Sequence, residues 1–164
     1  MALLLGKEYC KIDSNGRFKL PIALKKQIEG DERRFVIRQS IYNKCLELWT
    51  YESFRIEVEN LQGMLNPYNR EDREMLRTLT DGNIVELDVN DRLLVPSEQK
   101  AVIADSKEIV LQSTGKFIEI WDHEEYHKMN AQKLTMAEKV DARLGKLSSA
   151  AKSNNVEQSN NGVS

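Results

Sequence analysis

Cysteine, proline and histidine are scarce in this chain: two, three and two in 164 residues. Two thiols, Cys10 and Cys45, make neither a disulfide framework nor a metal-ligand pattern. Both fall in expected strands, so buried, reduced thiols are expected. No stretch approaches the roughly 20 apolar residues that a membrane helix needs. Ala2-Leu3-Leu4-Leu5 is apolar but runs at once into Gly6-Lys7-Glu8, which does not read as a signal peptide. A cytoplasmic protein is expected. There is no glycine-rich phosphate loop and no Cys-x-x-Cys pair. His123 and His127 stand four apart on an expected helix and share a face, but no third ligand lies near them in sequence. Two solvent-facing histidines are the better account. No Ser-His-Asp or Cys-His set stands out. The sequence therefore supports no enzyme, and no metal, cofactor or small-molecule substrate is expected.

What the chain does contain is a repeat. Asp13-Ser14-Asn15-Gly16-Arg17-Phe18-Lys19-Leu20-Pro21 returns as Asp88-Val89-Asn90-Asp91-Arg92-Leu93-Leu94-Val95-Pro96. Leu46-Glu47-Leu48-Trp49 returns as Ile118-Glu119-Ile120-Trp121. A unit of about 50 residues buries too little surface to be secure alone, so two units must share a core or assemble further. The expected organisation is a first module over 1–51, a helical hairpin over 52–80 and a second module over 81–122. A helix over 123–145 and a disordered tail over 146–164 follow. Charge divides unevenly. Residues 1–49 carry ten Lys/Arg against six Asp/Glu, and residues 81–164 carry ten against fourteen. A basic first half facing a polyanion and an acidic second half facing protein fit this division; chance imbalance in a small domain competes with it.

Asp13–Gly16 is a turn signal, and Arg17-Phe18-Lys19-Leu20 alternates charged and apolar residues. That spacing predicts a half-exposed strand with Phe18 and Leu20 inward and Arg17 and Lys19 outward. Pro21 opens a short helix carrying Lys25 and Lys26. Strands are expected at 35–39, 45–49, 84–87, 92–95, 108–112 and 116–121. Phe54, Val58, Leu61 and Leu65 predict a helix, and Asn69 caps another bearing Met75, Leu76 and Leu79. Each Asp-x-x-x-Arg segment, Asp13/Arg17 and Asp88/Arg92, reads in two ways: charges and Asx bonds that fix a turn, or a strand pair presenting arginine to DNA. In the second reading Arg17, Lys19, Lys11, Lys25 and Lys26 form a basic strip, while Asp13, Gly16, Asp88 and Arg92 shape the turns. Asp91 replaces the glycine of the first turn, and Leu94 stands where Lys19 does. The first unit is thus expected to touch nucleic acid and the second to support it. For Arg33, Arg34 and Arg38, solvated surface and DNA contact are equal readings. Phe18, Leu20, Trp49 and Trp121 are expected in the core or at an interface.

The two Asp-x-x-x-Arg…Pro segments, the two Glu-x-Trp strands and the helical insert with Asn66-Pro67 and Arg70/Arg73 together resemble the MraZ family over roughly residues 3–143. These bacterial regulators are encoded at the head of division and cell-wall gene clusters. The resemblance implies two AbrB-like modules, in a mainly β fold with short helices: a duplicated swapped-hairpin β-barrel with an intervening helical pair. It implies a sequence-specific, nucleoid-associated DNA-binding regulator. Such a protein closes into a homo-oligomeric ring, binds direct repeats in the double-stranded promoter DNA ahead of its own gene, and acts mainly as a repressor. An antitoxin-like module binding DNA and a toxin, and an oligomeric scaffold with no nucleic-acid role, are the alternatives.

Overall fold

The repeat sets the topology of the molecule, a computed structural model that describes residues 3–28, 30–104, 107–131 and 136–146. The expected tail from residue 147 onward and Leu134 of the expected C-terminal helix lie outside those residues. The chain divides into two units, 1–126 and 127–164.

In the first unit the strands come in two matching sets: β1 (Lys7–Lys11), β2 (Arg17–Lys19), β3 (Arg34–Gln39) and β4 (Leu46–Thr50), then β5 (Gly82–Glu86), β6 (Arg92–Leu94), β7 (Glu108–Ser113) and β8 (Ile118–Asp122). They form a six-stranded sheet in the order β1-β7-β8-β4-β3-β5 and a two-stranded ribbon β2-β6. All pairings are antiparallel. The halves exchange their edges: β1 lies on β7 of the other half, and β5 lies on β3.

The expected barrel is not present. Both sheets are open, in a mixed α/β fold. A barrel closes only when every strand is paired on both sides. Here β2 and β6 pair with each other, and β1 and β5 remain as the two free edges of the long sheet. The two ribbon strands are three residues long, bounded by a turn before and Pro21 or Pro96 soon after, which leaves them too short to bridge those edges.

The central strands are buried on both faces, which is why they read as nearly continuous apolar runs. One face of the sheet packs Phe35, Ile37, Leu46, Leu48, Ile109, Leu111, Ile118 and Ile120 against the ribbon's Phe18 and Leu93. Leu20, Leu24, Val95 and Ile103 complete this core. Leu24 comes from α1 (Ile22–Lys25) and Ile103 from the 3-10 turn after α4 (Ser97–Lys100). The other face carries two aromatic clusters that repeat the Glu-x-Trp motif. Trp49 meets Phe54 edge-on at 5.7 Å, and Trp121 meets Tyr126 edge-on at 6.2 Å. Each indole N–H donates to the glutamate two residues earlier, Glu47 or Glu119, at 3.2 Å.

Between the sets stand α2 (Tyr51–Met64) and α3 (Arg70–Leu79). Thr50 Oγ1 accepts from the Ser53 N–H at 3.2 Å, and Asn69 Oδ1 accepts from the Asp72 N–H at 3.1 Å. Each caps its helix by satisfying an otherwise orphan donor. Phe54 and Leu61 anchor α2, but α3 has no buried residue. α5 (His123–Asn130) follows β8, and the second unit is helical over residues 136–146.

Arg38 is buried, not solvated. Its Nε and Nη2 donate to Glu47 Oε1 at 3.0 and 2.8 Å, and Nη1 donates to the Leu79 carbonyl at 2.6 Å. Its guanidinium lies 5.3 Å from the Trp49 ring centre and 5.5 Å from that of Phe54. β4 and β8 place Glu47 directly opposite Glu119, a like-charge pairing that costs stability unless compensated. Arg38 compensates it from the neighbouring strand. Removing one partner of such a pair strands a buried charge. Arg38→Ala is expected to lower unfolding stability by about 3–5 kcal/mol, measured by urea denaturation. Arg38→Met with Glu47→Leu recovers part of the loss. A cost under about 1 kcal/mol for Arg38→Ala, the level of an exposed pair, contradicts this reading.

Candidate nucleic-acid interface

The two Asp-x-x-x-Arg segments build the same turn. Asp13 Oδ1 accepts from the backbone N–H groups of Asn15 and Arg17, each at 2.9 Å. Asp88 Oδ1 accepts from those of Asn90 and Arg92 at 2.8 and 2.9 Å. Position four of each turn needs a positive φ: 90° at Gly16 and 59° at Asp91. A Cβ on Gly16 would also meet the Val95 carbonyl oxygen and Lys100 Cδ, both at 3.0 Å. The turns cross-connect, since Val95 N–H donates to the Gly16 carbonyl at 2.8 Å and Leu20 N–H to the Asp91 carbonyl at 2.9 Å.

These bonds hold β2 against β6 in the register Arg17↔Leu94, Phe18↔Leu93, Lys19↔Arg92. The period of two sends Phe18 and Leu93 into the core and turns Arg17, Lys19, Arg92 and Leu94 outward. The ribbon is therefore composite. Arg92 stands directly opposite Lys19, which reading each half separately did not bring out. Lys11 joins them around a shallow hollow of about 300 Å³ lined by Asp13, Arg17, Lys19 and Arg92. Among the described residues Lys11, Arg17, Lys19, Lys26 and Arg92 have no ion-pair partner.

Lys25 differs. Its ammonium meets Asp91 Oδ2 at 2.7 Å, and Arg33 approaches the same carboxylate at 3.5 Å. Arg33 also donates to the Asp88 carbonyl at 2.5 Å. Asp91, the residue in place of a glycine, thus ties the first half's cations to the second half's turn. Arg34 stacks on Tyr51 at 4.1 Å. Of the three arginines with two open readings, all have structural partners. The signal that separates them lies in long-range register and not in local sequence.

Among the described residues no group of three His, Cys, Asp or Glu could hold a metal ion. His123 packs against Tyr9 at 5.7 Å. Cys45 is buried and Cys10 half-buried, and neither forms a disulfide. Burial pushes the thiols up, to about 12 for Cys45 and about 11 for Cys10, where they are protonated and unreactive at neutral pH. No described helix is long and apolar enough to cross a membrane.

Residues 79–147 match the family model described as "MraZ protein, putative antitoxin-like". The chain is 36% identical over 130 residues to the transcriptional regulator MraZ of Christiangramia forsetii, covering 78% of this chain and 83% of that protein. The chain belongs to the MraZ family. It is 34% identical over 130 residues to the regulator of Flavobacterium psychrophilum, covering 78% and 82%. It is also 28% identical over 144 residues to that of Mycoplasmoides gallisepticum, covering 85% and 98%. Membership makes the protein a transcriptional regulator and not an enzyme.

The turns carry a pH signature. Backbone N–H bonds from Arg17 and Arg92 hold the Asp13 and Asp88 carboxyls below their ordinary value of 3.8. The positive charges of both arginines add to the effect at each carboxyl. A depressed folded-state value means that the stabilising contribution is complete above 3.8 and fades as pH falls through the lowered value. Asp13→Asn with Asp88→Asn should therefore flatten the acid limb of the stability curve below 3.8, followed by urea unfolding across pH. An unchanged limb contradicts the role given to these carboxylates.

Proposed function

We propose that the outward face of the β2-β6 ribbon binds double-stranded DNA, with Arg17 and Lys19 at its centre and Arg92 beside them. The observation that carries this reading is the composite face itself: exposed cations from both halves on one two-stranded element. A ribbon of this kind fits the major groove. Arginine's forked donors serve both phosphate and guanine. Lys11 and Lys26 extend the face toward phosphates. Lys25 contributes through Asp91, by fixing the turn. Asp13, Gly16 and Asp88 set the geometry, and in this reading the second half takes part in contact through Arg92.

So few cations per copy give weak binding at physiological salt, because affinity scales with the phosphates neutralised. A homo-oligomeric ring that lays several ribbons along tandem direct repeats raises the effective concentration of each. In this reading the protein represses its own gene cluster from the promoter and resides on the nucleoid. The 1–51 and 81–122 modules act as one DNA-binding body, with 52–80 and 123–145 free for assembly and 146–164 outside it.

Fluorescence anisotropy against DNA from directly upstream of the gene, across salt concentrations and beside scrambled DNA, tests this. Binding should prefer the upstream DNA, weaken steeply with salt, and fall at least about tenfold in Arg17→Ala. Equal, feeble binding to both DNAs, or normal binding by Arg17→Ala, contradicts the assignment.

A further inference from the structure

Away from the ribbon, α2, α3 and the β3–β4 turn enclose a groove of about 800 Å³. Its floor is the neutralised Arg38–Glu47 pair, and its walls include Tyr42, Leu61, Met75 and Leu79. Glu71, Glu74, Met75 and Thr78 follow the i, i+3, i+4, i+7 spacing of one helix face, and all four line the groove. Arg70, Arg73 and Arg77 follow the same kind of spacing on another face of α3. Glu57 adds a third carboxylate from α2. Among the described residues none of these three glutamates has an ion-pair partner. The groove thus has apolar walls over a neutralised ion pair, with three further carboxylates in its lining, on a helix that buries none of its own residues.

The second unit carries the complementary pattern. Over residues 136–146, Met136, Val140 and Leu144 recur every fourth residue and are 50%, 43% and 59% exposed. Lys139, Arg143 and Lys146 run along one edge of the stripe at i, i+4, i+7, while Asp141 borders its other edge and Glu138 falls on the far side. Eleven residues of helix span about 16 Å. An apolar stripe edged by three cations matches a groove with apolar walls and three carboxylates in its lining.

We propose that the helix over 136–146 of a second copy docks in the α2–α3 groove, as the joint between neighbouring subunits. The two surfaces are different parts of the chain, so the contact is heterologous, the kind that propagates head to tail and closes into a ring when the rotation permits. This deepens the ring reading given above and depends on it for closure, but not on DNA binding. Met136, Val140 and Leu144 seat on Leu61, Met75 and Leu79. Lys139 and Arg143, four residues and about one turn apart, meet Glu71 and Glu74, three residues and about one turn apart on α3.

Sedimentation velocity on the full chain tests the joint, with circular dichroism to confirm the fold; the charges altered are all exposed. Lys139→Glu with Arg143→Glu should weaken self-association at least about tenfold, as should Glu71→Lys with Glu74→Lys. Combining all four should restore it. A wild-type oligomer that neither pair of changes disturbs, or that the combination fails to rescue, overturns the joint while leaving the ring reading intact. A wild-type monomer overturns both. Single-set variants that keep the oligomer but lose thermal stability place the helix on its own chain and overturn the second-copy assignment.

Discussion

The pairing of β2 with β6 is the contact on which the rest depends. Among the described residues neither three-residue strand forms a ladder with any other strand. Their inner residues, Phe18 and Leu93, are essentially fully buried over the main sheet. Without the ribbon one face of that sheet loses its cover, and two modules too small to bury enough surface alone lose a shared core. The same pairing puts cations from both halves on one surface. Core formation and the proposed DNA face are therefore a single event, enforced by two Asx turns that bond to each other.

The exchange of β1 and β5 serves the same end. Each half completes its sheet with a strand from the other, so neither half is self-sufficient. The centre of the sheet sets Glu47 against Glu119 across the line between the halves. The two sides resolve this differently. Arg38 neutralises Glu47, whereas the corresponding strand position opposite Glu119 holds Gln112. The two halves therefore differ in how they hold the glutamates that meet at their centre. Asp91 is the same story at the turns: it adopts the conformation that Gly16 adopts for free, and holds Lys25 and Arg33 in return.

Local features were legible in the sequence. The alternation of Arg17 to Leu20, the turns at Asp13 and Asp88, and the cap Asn69 all follow from short-range chemistry. The paired strand register did not. Arg38 sits in Phe35-Val36-Ile37-Arg38-Gln39, a strand buried on both faces, where no period of two separates inside from outside. Its burial depends on Glu47 and Leu79, nine and forty-one residues away. Barrel closure failed as an expectation for a related reason: closure is decided by which edges meet, and two short strands that found each other left β1 and β5 open. Ile12 is buried and Tyr9 exposed, as residues three apart in a strand point to opposite faces.

The most direct measurement is amide hydrogen exchange with and without DNA from upstream of the gene. If the composite ribbon is the DNA face, segments 13–20 and 88–95 gain protection together, at the same DNA concentration. Protection confined to 13–20, or appearing on the α2–α3 groove with neither turn affected, contradicts the account.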